Sequence, residues 1–162
     1  MSAGPLAPFD AWPVQVFDPA FGFAWYVSPA TFVSQATTEQ GTLASVIALH
    51  DLIDGLLAAK AAEVRAAGGL LVLHDWRLLR GYDRDAGVAF VERVTRREPG
   101  YLRRAVVAVR GGRELLLAAV EGVAFLGAVA PEAHLDLVAD LGPALLEEGV
   151  QPPPAGERFP AP

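Results

Sequence analysis

GGLLVLHDWRLLRGYDRDAG, residues 68–87, decides how the chain is read. Two glycines, Gly68 and Gly69, release a preceding helix, because glycine reaches the left-handed backbone that ends helices. The apolar run Leu70–Leu73 then stops at His74-Asp75-Trp76-Arg77. A polar loop with Gly81, Tyr82 and Asp83 leads into the next apolar-periodic stretch. A short apolar strand that ends in polar residues before a helix is how a buried parallel strand delivers side chains to the rim of a sheet.

Working outward, the same alternation repeats. Thr42–Ala67 carries Leu43, Val46, Ile47, Leu49, Ile53, Leu56, Leu57 and Val64 at helical spacing, which predicts one long amphipathic helix, capped by Thr38 or Thr42. A helix is expected over 85–97, capped by Asp83 or Asp85, with Val88, Phe90, Val91 and Val94 inward. Arg93, Arg96 and Arg97 are read as its exposed residues. Ala105–Val109 is a continuous apolar run, which marks a strand covered on both faces. Gly111-Gly112 leads into a very apolar helix over 113–130, and Leu135–Val138 alternates as a last strand before a short helix opening near Pro143. Upstream, Val14–Phe17 and Phe21–Val27 flank Asp18-Pro19 and read as an antiparallel hairpin. Thr31–Ser34 is left open between a loop and a short edge strand. Strands alternating with helices imply parallel pairing and right-handed crossovers. The expected fold is α/β: a mixed, mostly parallel sheet of four to five strands, an N-terminal hairpin at one edge, and helices packed on it. Residues 1–12 read as a flexible arm, 13–150 as one domain and 151–162 as a proline-rich tail.

Composition removes several chemistries. The 162 residues include no cysteine, so there is no disulfide, thiolate metal site or cysteine nucleophile. His50, His74 and His134 show no metal-ligand spacing, so neither a metal nor a cofactor is expected. The run Leu115–Ala130 is short for a membrane span and is broken by Glu121, and the N-terminus shows no signal-peptide pattern, so a cytoplasmic protein is expected. The net charge of −6 conceals an asymmetry: residues 77–113 hold ten arginines against four acids, and the remainder is strongly acidic. No aromatic interleaving accompanies those arginines, so nucleic acid is not an expected partner.

The segment with a strand, Leu73-His74-Asp75-Trp76-Arg77, and then Tyr82-Asp83-Arg84-Asp85-Ala86-Gly87 at a helix start resembles STAS-type domains, the fold of bacterial anti-sigma-factor antagonists. It is also similar to an uncharacterised bacterial branch grouped with CRAL-TRIO-like, lipid-binding relatives. The resemblance spans about residues 13–150 and includes the closing stretch LVADLGPALLEEGV. In regulatory STAS domains this loop presents an Asp-Ser-Ser/Thr-Gly motif whose serine is phosphorylated. Arg84 or Asp85 stands in its place here, so the resemblance implies a regulatory module without that switch.

Three functions are consistent with these features. The leading one is a non-catalytic protein-interaction module that docks a protein partner through His74, Asp75, Trp76, Arg77, Tyr82, Asp83, Arg84 and Asp85. The second follows from the 113–130 helix, which is apolar nearly all round and must cover something. Leu116, Val120, Val123, Phe125 and Leu126 would form a lid over a small apolar ligand, or a homodimer face. The third is an enzyme built on His74, Asp75 and Asp83, although neighbours on a strand point to opposite faces.

Overall fold

The computed structural model describes residues 14–28 and 30–150. The expected arm at 1–12 and the tail at 151–162 lie outside the described residues. In chain order the elements are β1 (Val14–Asp18), β2 (Gly22–Ser28), β3 (Thr31–Ala36), β4 (Gln40–Gly41), α1 (Leu43–Ala59) and α2 (Ala61–Ala66). They continue with β5 (Leu70–Asp75), β6 (Gly81–Tyr82), α3 (Arg84–Thr95), β7 (Leu102–Ala108), α4 (Arg113–Val129), β8 (His134–Val138) and α5 (Gly142–Glu147).

The fold is α/β with one mixed, six-stranded sheet in the order β1-β2-β3-β5-β7-β8. β1, β2 and β3 are antiparallel neighbours, and β3, β5, β7 and β8 run parallel. The expected count of four to five strands falls short because Thr31–Ala36 is neither a loop nor an edge. It is a central strand, hydrogen-bonded on both sides, and all six of its residues are buried. Its polar Thr31, Ser34 and Gln35 hide that role from a hydropathy reading.

The single helix expected over 42–67 divides at Lys60, whose backbone leaves helical geometry between α1 and α2. Thr42 caps α1 in a reciprocal capping box: the Ser45 amide donates to Thr42 Oγ1 at 3.2 Å, and the Thr42 amide donates to Ser45 Oγ at 3.0 Å. Two orphan donors are thereby satisfied. A second, two-stranded sheet pairs β4 with β6 and ties the loop after β5 to the start of α1.

Alternation along the strands sends two sets of side chains to two faces. On one face Phe32, Val72, Leu102 and Ala105 meet Leu49, Ile53 and Leu56 of α1 and residues of α3 and α4. On the other face Val33, Leu71, Leu73 and Val106 meet Leu141 and Ala144 at α5. Two arginines fasten α5 there. Arg103 Nη2 donates to Glu148 Oε2 at 2.9 Å, and Arg104 bonds Asp136, Glu147 and Glu148. The hydrogen bond from Arg103, with help from Arg104, holds the Glu148 carboxyl below the usual carboxylate range.

Gly68 and Gly69 turn the chain into β5 with φ of +80° and +117°. Their surroundings differ. A Cβ on Gly69 would lie 2.7 Å from the Arg103 amide nitrogen, whereas one on Gly68 meets nothing within 4 Å. Gly68→Ala is therefore expected to cost only the left-handed penalty, about 1 kcal/mol. Gly69→Ala adds a backbone collision and is expected to cost more than about 2 kcal/mol. Urea midpoints of the two variants measure the difference, and equal midpoints would refute it.

Candidate functional site

The face shared by α1, α3 and α4 is not solidly packed. A cavity of about 640 Å³ lies between the sheet and α3 and α4. Val72, Val107 and Leu137 form part of its floor on the sheet, and Phe125, Leu126 and Val123 of α4 form part of its roof. α3 leans toward α1 and away from α4, and the reason is electrostatic as well as apolar. Arg93 Nη1 lies 2.7 Å from Asp51 and 2.9 Å from Asp54, and Arg97 Nε donates to Asp54 at 2.8 Å. Ala86 and Val94 are buried residues of α3, and Phe90 packs its ring edgewise on His50 at 5.7 Å.

Two sequence expectations change as a result. Arg97 was expected at the surface, yet its side chain is 7% exposed. Val88 and Val91 were expected inside, yet both are exposed, Val88 at 53%. The buried side of α3 is set by its contact with α1, and Val88 and Val91 instead line the gap toward α4.

His50, His74 and Arg97 form one polar cluster on the lining of the cavity. His74, on β5, lies directly beside Ser34 on β3 in the strand register, and Ser34 Oγ makes a hydrogen bond with His74 Nδ1. Its ring stacks on Trp76 at 5.0 Å and meets Phe32 edgewise. His50, on α1, accepts a hydrogen bond at Nδ1 from Arg97 Nη2 at 2.9 Å. A guanidinium can only donate, so a neutral His50 carries its proton on Nε2. Arg97 also lies 5.2 Å over the Tyr101 ring. Burial, with the nearby Arg97 charge, holds His74 down at about 3 and His50 at about 2, the latter with smaller contributions from His74 and Arg93. Both rings are neutral at physiological pH.

The residues expected at the rim separate into three groups. His74, Trp76, Tyr82, Asp83 and Arg84 all line the cavity. Tyr82 lies against Gly41, where any Cβ would meet its ring at 2.2 Å, and burial raises its hydroxyl pKa. Asp83 accepts from Gln40 Nε2 at 2.7 Å and makes no side-chain cap to α3, although it is the N-cap residue. Asp75 and Arg77 form the second group. Asp75 points to the other face and is bonded twice by the Arg77 guanidinium, at 2.8 and 2.7 Å, so it does not orient His74. Asp85 stands apart, exposed in the first turn of α3. On α4, Val123, Phe125 and Leu126 line the cavity, whereas Leu116 and Val120 face outward and are 43% and 53% exposed.

The sequence reading missed Ser34, His50, Arg97 and Tyr101. His50 carries a faint signal, since it falls within the apolar stripe formed by Val46, Leu49 and Ile53. Arg97 carries none, because a buried arginine and a solvated one look alike in a sequence.

The buried histidines make stability depend on pH. Their folded pKa values lie below the ordinary 6.5, so the unfolded chain binds protons first. Stability is expected to be complete above about pH 6.5 and to fall as pH drops toward about 3, by up to about 1.4 kcal/mol per pH unit for each ring. Urea midpoints at pH 7.5, 5.5 and 4.5 check this for the native chain. His50→Gln and His74→Gln should each show a shallower dependence, and an unchanged slope would refute the assignment.

Compared with known proteins, the chain matches no protein-family model, no curated protein and no solved structure.

Proposed function

We propose that this chain is a non-catalytic binding module that holds a small, largely apolar molecule between its sheet and helices α3 and α4. The observation that carries the reading is the cavity of about 640 Å³. Pockets for small ligands span roughly 300–1,000 Å³ and are mostly apolar with a few polar groups that fix orientation. Here the apolar lining comes from the sheet, α3 and α4; His50, His74 and Arg97 form one polar cluster, and Asp83, Arg84, Glu92 and Glu121 are further charged residues of the lining. An apolar helix such as α4 has a use in this reading: its inner residues Val123, Phe125 and Leu126 complete the binding surface.

A second reading, a regulatory module that docks a protein partner, is favoured by one observation. Trp76, Tyr82, Asp83 and Arg84 of the rim line the cavity and lie in or beside the loop that follows β5. A partner bound there would sense whether the cavity is filled. The arginines support docking less broadly than their number suggests, because Arg77, Arg80, Arg93, Arg97, Arg103 and Arg104 form ion pairs within the chain.

N-phenyl-1-naphthylamine, an uncharged fluorescent probe, is expected to bind saturably with a blue shift. Gly122 lines the cavity, and a Cβ there would find Phe90 at 3.9 Å, so Gly122→Phe fills the space. It should abolish probe binding while circular dichroism stays native. Unsaturable fluorescence, or equal binding by a folded Gly122→Phe variant, would overturn the ligand reading. For the second reading, Arg84→Glu should weaken capture of a partner without unfolding the chain.

A further inference from the structure

The cavity carries charge of both signs. Arg97 is compensated by Asp54 at 2.8 Å, and His50 and His74 are both buried beside it. Arg84, Glu92 and Glu121 line the same cavity and form no ion pair among the described residues.

A hydrogen-bonding group is nevertheless held ready. The His50 side chain is more than nine-tenths buried and lines the cavity, and its Nδ1 is occupied by Arg97. That leaves Nε2–H as a donor with no partner among the described residues, available to an acceptor on a ligand. Rings surround it: Phe90 lies edgewise on His50, and Phe90 in turn meets Phe125 at 6.5 Å.

We infer that the cavity selects a ring-containing apolar molecule with a hydrogen-bond-accepting oxygen, which the His50 Nε2–H reads. The inference rests on the ligand-binding reading above and adds the polar contact. His50 is the specificity-determining residue, and Arg97 is a positioning residue that fixes its tautomer.

Two molecules of nearly equal shape separate the possibilities: 2-acetylnaphthalene and 2-ethylnaphthalene. Each competes at pH 7.5 with N-phenyl-1-naphthylamine bound to the full chain. The ketone should outcompete the ethyl compound about fivefold, the scale of one hydrogen bond. His50→Phe should remove the preference for ketone over ethyl compound while still binding the probe, and His50→Leu serves if that variant does not fold. Equal displacement by the ethyl and acetyl compounds overturns the role of His50. Failure of the probe to bind overturns the ligand reading itself, and this inference with it. The wild-type competition decides the role of the hydrogen bond without any variant.

Discussion

Every parallel crossover in this chain steps in the same direction across the sheet, from β3 to β5 to β7 to β8. Right-handed crossovers that never reverse direction must place their helices on one face. α1, α3 and α4 therefore crowd one side, and the other side is left to the short α5. Most of what distinguishes the molecule follows from that asymmetry. Three helices on one face compete for the same floor, and α3 is drawn to α1 by the Arg93 and Arg97 pairs with Asp51 and Asp54. α4 cannot close the gap that this leaves, and the cavity is the result.

The same asymmetry explains where the polar side chains fall. Strand alternation puts His74 under the helices and its neighbour Asp75 on the opposite face, where Arg77 binds it. A base and an acid adjacent in sequence are thereby separated by the thickness of the sheet. His74 instead finds Ser34, its lateral neighbour on β3. Polar pairing inside the sheet is thus met across strands, and the acidic side chains serve as clamps between elements.

Much of the frame was legible in the sequence. The apolar runs at 70–73 and 105–109 announced parallel strands, and glycine pairs marked the turns beside them. The hairpin at the edge was readable from its alternation. Two features were not. β3 is central, yet its Thr31, Ser34 and Gln35 read as a polar connection, because neighbouring strands supply the pairing that its composition does not suggest. The polar cluster of the cavity was equally hidden: His50 on α1 and Arg97, just past the end of α3, are 47 positions apart, and their contact depends on how α3 packs on α1. Local pattern encodes a face, not the neighbour that the face will meet. The rim residues were visible because they follow a strand end, but whether they turn inward or outward depends on β4 pairing with β6.

Ion pairs and apolar contact are divided among the helices, not between the two faces of the sheet. Arg103 and Arg104 clip α5 beside the apolar contacts of Leu141 and Ala144. Arg93 and Arg97 clip α3 to α1 on the cavity side. Among the described residues α4 forms no ion pair, and its inner side closes by apolar contact. Ionic strength consequently divides the walls of the cavity: it screens the clips that seat α3 and α5, while a salting-out salt strengthens the seating of α4. A change of ionic medium can loosen one wall of the cavity while it tightens the other.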